Sequence, residues 1–167
     1  MKGLVVWITG LPSSGKSLLA ERLWRRLVHA KKPAVVLDGD VVRGAIKPTP
    51  GYDEASRADF YETLASLAAL MANQGLTVLV PATSHLRVYR QKAREVSPSF
   101  LEVYVLTSPE VCAKRDAKGL YAAVANGEVS GLPGVDLAYE VPESPEVVAL
   151  GGYDEEALAK LLKACHA

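Results

Sequence analysis

Eight residues near the start of the chain, Gly10-Leu11-Pro12-Ser13-Ser14-Gly15-Lys16-Ser17, constrain the fold more than any other feature. They satisfy G-x4-G-K-[ST] and lie between an apolar run, Leu4–Thr9, and a helix-period segment from residue 16 to about 30. In that context the two glycines let successive backbone N–H groups wrap around phosphate oxygens. The helix that follows adds the positive end of its dipole. Lys16 is expected to reach the β- and γ-phosphates of a nucleoside triphosphate, and the Ser17 hydroxyl to ligate Mg²⁺. The whole of Gly10–Ser17 is therefore read as a nucleoside triphosphate site, which leaves open what becomes of the γ-phosphate.

The rest of the chain alternates in the same way. Short runs rich in Val and Leu fall at 4–9, 34–37, 76–80, 101–106 and 147–150. Nearly continuous apolar runs suit strands buried on both faces of a parallel sheet. Helix-period segments fall at 16–30, 54–73, 86–96, 109–115 and 154–165, with a shorter one at 120–126. The expected fold is α/β, a phosphate-loop kinase with a central five-stranded parallel sheet flanked by helices. Trp7 and Trp24 are assigned to its core. The Gly- and Pro-rich segment at about 118–142 is expected to be a lid within a single domain spanning 1–167.

Composition narrows the partners. Lys and Arg number 19, as do Asp and Glu, and zero formal charge argues against a general nucleic-acid or anionic-membrane binder. Two cysteines without a CxxC provide neither a disulfide framework nor a zinc site. No apolar run reaches the ~18 residues needed to span a bilayer. The opening run leads into a glycine loop and not a cleavage site, so a cytoplasmic protein is expected. A GTPase would need Asn/Thr-Lys-x-Asp after a later strand, but the fourth run ends Leu106-Thr107-Ser108-Pro109-Glu110. A motor ATPase would need an acid at the end of its third strand, where this chain has LTVLVPATS. A small-molecule kinase remains. Asp38-Gly39-Asp40, directly after the second run and followed by Arg43, suits that class. A carboxylate can take a proton from an attacking hydroxyl or hold a metal-bound water, and an arginine can hold an anionic acceptor. The same residues also suit an Asp-Gly turn with a helix cap, and both readings stay open.

The phosphate loop GLPSSGKS, the segments LDGDVVR and GYDEASR, and above all VCAKRDAKGLYAAVANGEVSGLPGVDLAYEVPESPEV resemble adenylylsulfate kinase, over nearly the whole chain. The resemblance implies transfer of the ATP γ-phosphoryl group to the 3′-hydroxyl of adenosine 5′-phosphosulfate. It further implies that Asp40 lies beside that hydroxyl, that Arg43, Arg57 and Thr83 bind the acceptor, and that Ser84 lies near the transferred group. Arg115 would pack on the ATP adenine, Lys118 would serve from the lid, and Tyr52 and Leu132 would sandwich the acceptor adenine. The family pattern has Asn where this chain has Val41 and Phe60, Arg at Glu62, Lys at Ser130, and Phe at Tyr52 and Leu132. All these departures lie on the acceptor side. They support an alternative, a kinase of the same fold with another hydroxyl or nucleotide acceptor. Phe60 also falls on the apolar stripe of its own helix. A regulator with little turnover is the third reading, against which stand Lys16, Ser17 and Asp40.

Elsewhere, His85 reads as a solvated loop residue, and Arg87, Arg90, Lys92 and Arg94 as a solvated helix face, with Arg87 a further candidate for acceptor phosphates. Asp116, Asp136 and Glu140 read as caps or hinges of the lid. The partners expected are a small nucleotide acceptor and, as the assembly left open, a homodimer.

Overall fold

The computed structural model describes residues 3–166. Five strands, β1 (Leu4–Thr9), β2 (Ala34–Val36), β3 (Thr77–Pro81), β4 (Phe100–Val105) and β5 (Val147–Ala149), form one sheet in the order β2-β3-β1-β4-β5. Every neighbouring pair is parallel, with Val6 opposite Leu79 on one side and Leu101 on the other. The helices are α1 (Lys16–His29), α2 (Gly39–Ala45), α3 (Glu54–Ala72), α4 (Arg87–Val96), α5 (Pro109–Arg115), α6 (Leu120–Ala125) and α7 (Glu155–His166). One face of the sheet is covered by α1 and α7 through Leu19, Leu23, Leu27, Leu158 and Leu161. The other is covered by α3 and α4 through Phe60, Leu64, Ala68, Tyr89 and Ala93. Among the described residues no helix is long and apolar enough to cross a membrane.

Local sequence explains the boundaries. Asp53 caps α3 by accepting from the Ser56 N–H at 2.9 Å, and Gly75, at φ 91°, turns the chain into β3. Ser108 caps α5, with Pro109 in the first turn where its missing N–H is not needed.

Three expectations change. Burial on both faces holds for β1 and β3, but β4, although internal, alternates between buried and half-buried residues, and the edge strand β2 is half-buried throughout. Trp24 is not core. It lies 36% exposed on α1, with its indole N–H donating to the Ala34 carbonyl at 3.2 Å. The helix α2 has no apolar periodicity to announce it. It forms because Asp38 caps it, its carboxylate accepting from the Asp40 N–H at 3.0 Å.

Candidate active site

The order of the strands reverses at β1, and the crevice outside the carboxyl ends of such strands is where ligands of open α/β sheets sit. The phosphate loop leaves β1 there. Gly15 has φ 105°, and a Cβ on it would stand 2.6 Å from the Gly152 nitrogen, so both conformation and space require glycine. Thr107 Oγ1 donates to the Ser14 carbonyl at 2.8 Å, and the Tyr121 hydroxyl donates to the Pro12 carbonyl at 2.9 Å. Arg115 approaches the Ser14 carbonyl at 3.4 Å, beside the loop but exposed.

Lys16 Nζ curls back onto the loop and donates to the Leu11 carbonyl at 2.7 Å. Burial lowers its pKa to about 8, against the opposing pull of Asp40. Ser17 Oγ donates to Asp38 Oδ2 at 2.5 Å, while the other oxygen of Asp38 caps α2. A hydroxyl and a carboxylate in contact at the mouth of a phosphate loop form an oxygen pair suited to Mg²⁺, which keeps most of its coordination for phosphates and water. Sequence reasoning offered Asp38 and Asp40 as a pair but gave only Asp40 a role of its own. The Asp-Gly-Asp spacing contained the signal, but only the pairing with Ser17 separates the two acids. Asp40 is exposed and ion-paired with Lys118 from the start of the lid.

The acceptor-side residues gather around α3. Arg43 is buried, donates to the Gly51 carbonyl at 2.7 Å and the Pro50 carbonyl at 3.2 Å, and lies over the Tyr52 and Phe60 rings at 4.4 and 3.9 Å. Arg57, also buried, donates to the Tyr52 carbonyl at 2.6 Å and the Gly131 carbonyl at 2.7 Å, so it joins α3 to the lid. Tyr52 is 63% exposed, whereas Leu132 is buried. Leu132 sits in a turn that Asp136 closes by accepting from the Gly131 and Leu132 N–H groups, and those bonds hold the Asp136 carboxyl below its usual range. Phe60 is core as well as platform, edge-on to Tyr61 at 5.3 Å. Glu62 points outward to Lys92 at 3.7 Å.

Several expected placements fail. Ser84 is fully buried: its hydroxyl accepts from Trp7 Nε1 at 2.9 Å and has Ala82 O at 3.2 Å, so that hydroxyl is engaged in the core. Thr83 contributes its carbonyl to Thr9 Oγ1 at 2.7 Å. His85 is buried and not solvated. Burial, reinforced by Arg57, lowers its pKa to about 4, and the imidazole Nδ1 has no partner. Arg90 is likewise buried, paired with Glu102 at 2.8 Å. Arg87, by contrast, is an exposed helix residue, bound to the Val141 carbonyl and Glu143. Asp116 caps the lid helix α6, accepting from the Tyr121 and Ala122 N–H groups, and Glu140 accepts from the Arg87 N–H at the start of α4. An open cavity of about 520 Å³ between Leu11, Tyr104, Thr107 and the lid residues Gly134–Tyr139 contains none of Lys16, Ser17, Asp38 or Asp40, so it lies beside the phosphate site.

Comparison with known proteins gives a consistent result. The family model described as Adenylylsulphate kinase matches residues 2–150. An adenylyl-sulfate kinase from Vibrio vulnificus (strain YJ016) is 41% identical over 164 residues, covering 96% of this chain and 79% of that protein. The bifunctional enzyme NodQ of Rhizobium sp. (strain N33) is 43% identical over 145 residues, 86% of this chain, and the chain spans only 22% of NodQ's length. Among solved structures, the Mycobacterium tuberculosis APS kinase CysC in complex with AMPPNP and APS superposes with a TM-score of 0.92 at 36% identity, covering 99% of both chains.

Proposed function

The chain belongs to the adenylylsulphate kinase family, and from that premise we propose that it phosphorylates the 3′-hydroxyl of adenosine 5′-phosphosulfate with ATP, giving 3′-phosphoadenosine 5′-phosphosulfate and ADP. The observation that carries the reading is the division of labour between the two acids. Asp38 lies against Ser17 on the metal side, and Asp40 lies against the lid lysine on the acceptor side.

With ATP on the loop, Lys16 exchanges the Leu11 carbonyl for phosphate oxygens. Ser17 and Asp38 are the residues that would hold Mg²⁺, which would supply positive charge to the triphosphate. The acceptor enters between Tyr52 and the Leu132 turn, with Arg43 and Arg57 meeting its anionic groups. The 118–142 segment closes over it and keeps water from competing as nucleophile. Asp40 exchanges Lys118 for the 3′-hydroxyl and accepts its proton as the new O–P bond forms and the bond from the γ-phosphorus to the bridging oxygen breaks. Lys118, released, is then beside the charge that ADP and the phosphoryl group carry. Positioning and electrostatics supply most of the acceleration, with the base secondary. A cytoplasmic location fits an ATP-consuming chain whose two cysteines are free.

The test is a coupled ADP-release assay with adenylylsulfate beside other nucleotides and hydroxyl compounds, with product identified by chromatography. Adenylylsulfate is expected to give the highest turnover over KM. Silence with adenylylsulfate and turnover with another compound would transfer the assignment to that acceptor. One observation favours this second reading: Phe60 and Leu132 are buried apolar groups and Glu62 faces outward, at three positions where the family pattern differs.

A further inference from the structure

The two ends of the lid are fastened differently. At its start, Lys118 pairs with Asp40, the Ala117 N–H donates to Ser13 Oγ at 3.2 Å, and Tyr121 donates to Pro12. Each of these bonds ends on a residue that nucleotide or acceptor is expected to engage. At its return, the bonds end on the end of β1, on the loop after β3 and on α4. The Tyr139 hydroxyl lies 2.8 Å from Thr9 Oγ1, and Thr9 Oγ1 donates to the Thr83 carbonyl at 2.7 Å. A threonine hydroxyl has one proton, so Tyr139 must be the donor to Thr9. Burial raises the Tyr139 pKa further above the usual phenol value, which keeps that proton in place. The Glu140 N–H donates to the His85 carbonyl at 2.8 Å, and the Glu140 carbonyl accepts from Arg90 NH2 at 2.6 Å. Arg90, buried, also donates to the Ser84 carbonyl at 2.6 Å and to Glu102. Thr9 immediately precedes Gly10 of the phosphate loop and is fully buried.

We propose that Tyr139 is a positioning residue: its hydroxyl, acting through Thr9, pins the return limb of the lid to the carboxyl ends of β1 and β3, so that the lid closes about a fixed pivot at 139–140. Closure then brings the moving end, with Lys118, onto the nucleotide in one register and keeps water away from the γ-phosphate. The pivot itself is a property of the chain alone. Its effect on water rests on the kinase reading above.

The experiment compares Tyr139→Phe, Thr9→Val, Thr9→Ser and the Tyr139→Phe/Thr9→Val pair with wild type. In the first arm, ADP released and acceptor phosphorylated are measured together at saturating ATP and adenylylsulfate. Tyr139→Phe and Thr9→Val should raise the ratio of ADP to phosphorylated product several-fold, with the ATP KM within roughly twofold. The pair should be no worse than Thr9→Val, and Thr9→Ser should restore the wild-type ratio. General destabilisation would lower both yields together and leave the ratio unchanged. In the second arm, amide hydrogen exchange is followed on the protein without added nucleotide. Tyr139→Phe should speed exchange at Glu140 several-fold and leave 120–125 as in wild type. Unchanged exchange at Glu140 overturns the pivot. Faster exchange with an unchanged ratio overturns its role in excluding water. A wild type that releases ADP without phosphorylating adenylylsulfate sinks the acceptor assignment, and the exchange arm still decides the pivot.

Discussion

Lys16 carries an ammonium in a place that disfavours it, and the consequence can be measured. Burial is the largest influence, and the pKa falls to about 8 even with Asp40 opposing. That fall corresponds to about 3 kcal/mol in favour of the neutral amine. For folding, the unfolded chain keeps this proton up to the ordinary lysine value while the folded chain releases it near pH 8. The unfolded state therefore holds more protons in between, and stability rises as pH rises through that window, with the full penalty present below it. For nucleotide binding the sign is opposite, because phosphate oxygens restore the charged form. Binding should take up about 0.1 proton at pH 7, about 0.5 at pH 8 and about 0.9 at pH 9. Titration calorimetry of AMPPNP with Mg²⁺, in buffers of different ionisation enthalpy, measures that uptake directly. Lys16→Met should abolish it along with nearly all kinase activity. The same variant, without nucleotide, should be more stable at pH 7 by about 2 kcal/mol. That is the ~3 kcal/mol penalty less ~1 kcal/mol for the lost bond to Leu11. Equal proton uptake by wild type and Lys16→Met at pH 8 would refute the reasoning, since the proton would then belong to another group.

Other perturbations separate the remaining roles. Asp40→Asn should lower turnover by roughly 10²-fold or more with ATP affinity little changed, since general-base contributions run ~10²–10⁴; a collapse of ATP affinity with turnover intact would move Asp40 to the metal side. Asp38→Asn keeps a competent helix cap but loses the charge against Ser17, so the Mg²⁺ concentration for half-maximal rate should rise several-fold; an unchanged Mg²⁺ titration would remove Asp38 from the metal site. Leu132→Phe with Ser130→Lys should lower the acceptor KM several-fold and leave the ATP KM alone, a stacking face being worth ~0.5–1.5 kcal/mol; no gain for adenylylsulfate would favour the alternative acceptor. Phe60→Leu keeps apolar volume but removes the ring beneath Arg43, so the acceptor KM should rise and the melting temperature fall by a few degrees, and an unchanged KM would make Phe60 core alone.

The phosphate loop and the sheet were legible because each is written in contiguous residues. Gly10–Ser17 fixes a turn between a strand and a helix, and the apolar runs at β1 and β3 match the two strands that are buried on both faces. What could not be read depends on residues far apart in the chain. Trp24 follows the apolar period of α1 but meets the edge of β2, where its indole N–H finds a carbonyl. His85 and Arg90 look like solvated polar residues because nothing local says that the lid returns over them, yet the Glu140 main chain bonds to both. Ser84 differs from them in origin, since its assignment came from the family resemblance alone. The resemblance could not say that the indole of Trp7, 77 residues away, would engage its hydroxyl in the core.

The acceptor side was the least legible, and the cause is physical. Its two buried arginines already have partners: Arg43 holds the carbonyls at 50 and 51, and Arg57 holds those at 52 and 131. A guanidinium has five N–H donors, so each can meet an anion and still keep part of this scaffold. Phe60 then takes on a meaning that its apolar stripe conceals. With the ring 3.9 Å beneath Arg43 and Tyr52 at 4.4 Å, the guanidinium is held between π-faces without needing an amide neighbour. Cation–π contacts of this kind contribute ~0.5–2 kcal/mol. An arginine ordered in advance loses less side-chain freedom when the acceptor arrives, at ~0.5–1.5 kcal/mol for a rotamer-rich group. The gain is of the size expected from a lost neutral hydrogen bond, about 1 kcal/mol. A phenylalanine at position 60 thus gives Arg43 a support of its own, and the charge is held in position although the residue departs from the family pattern.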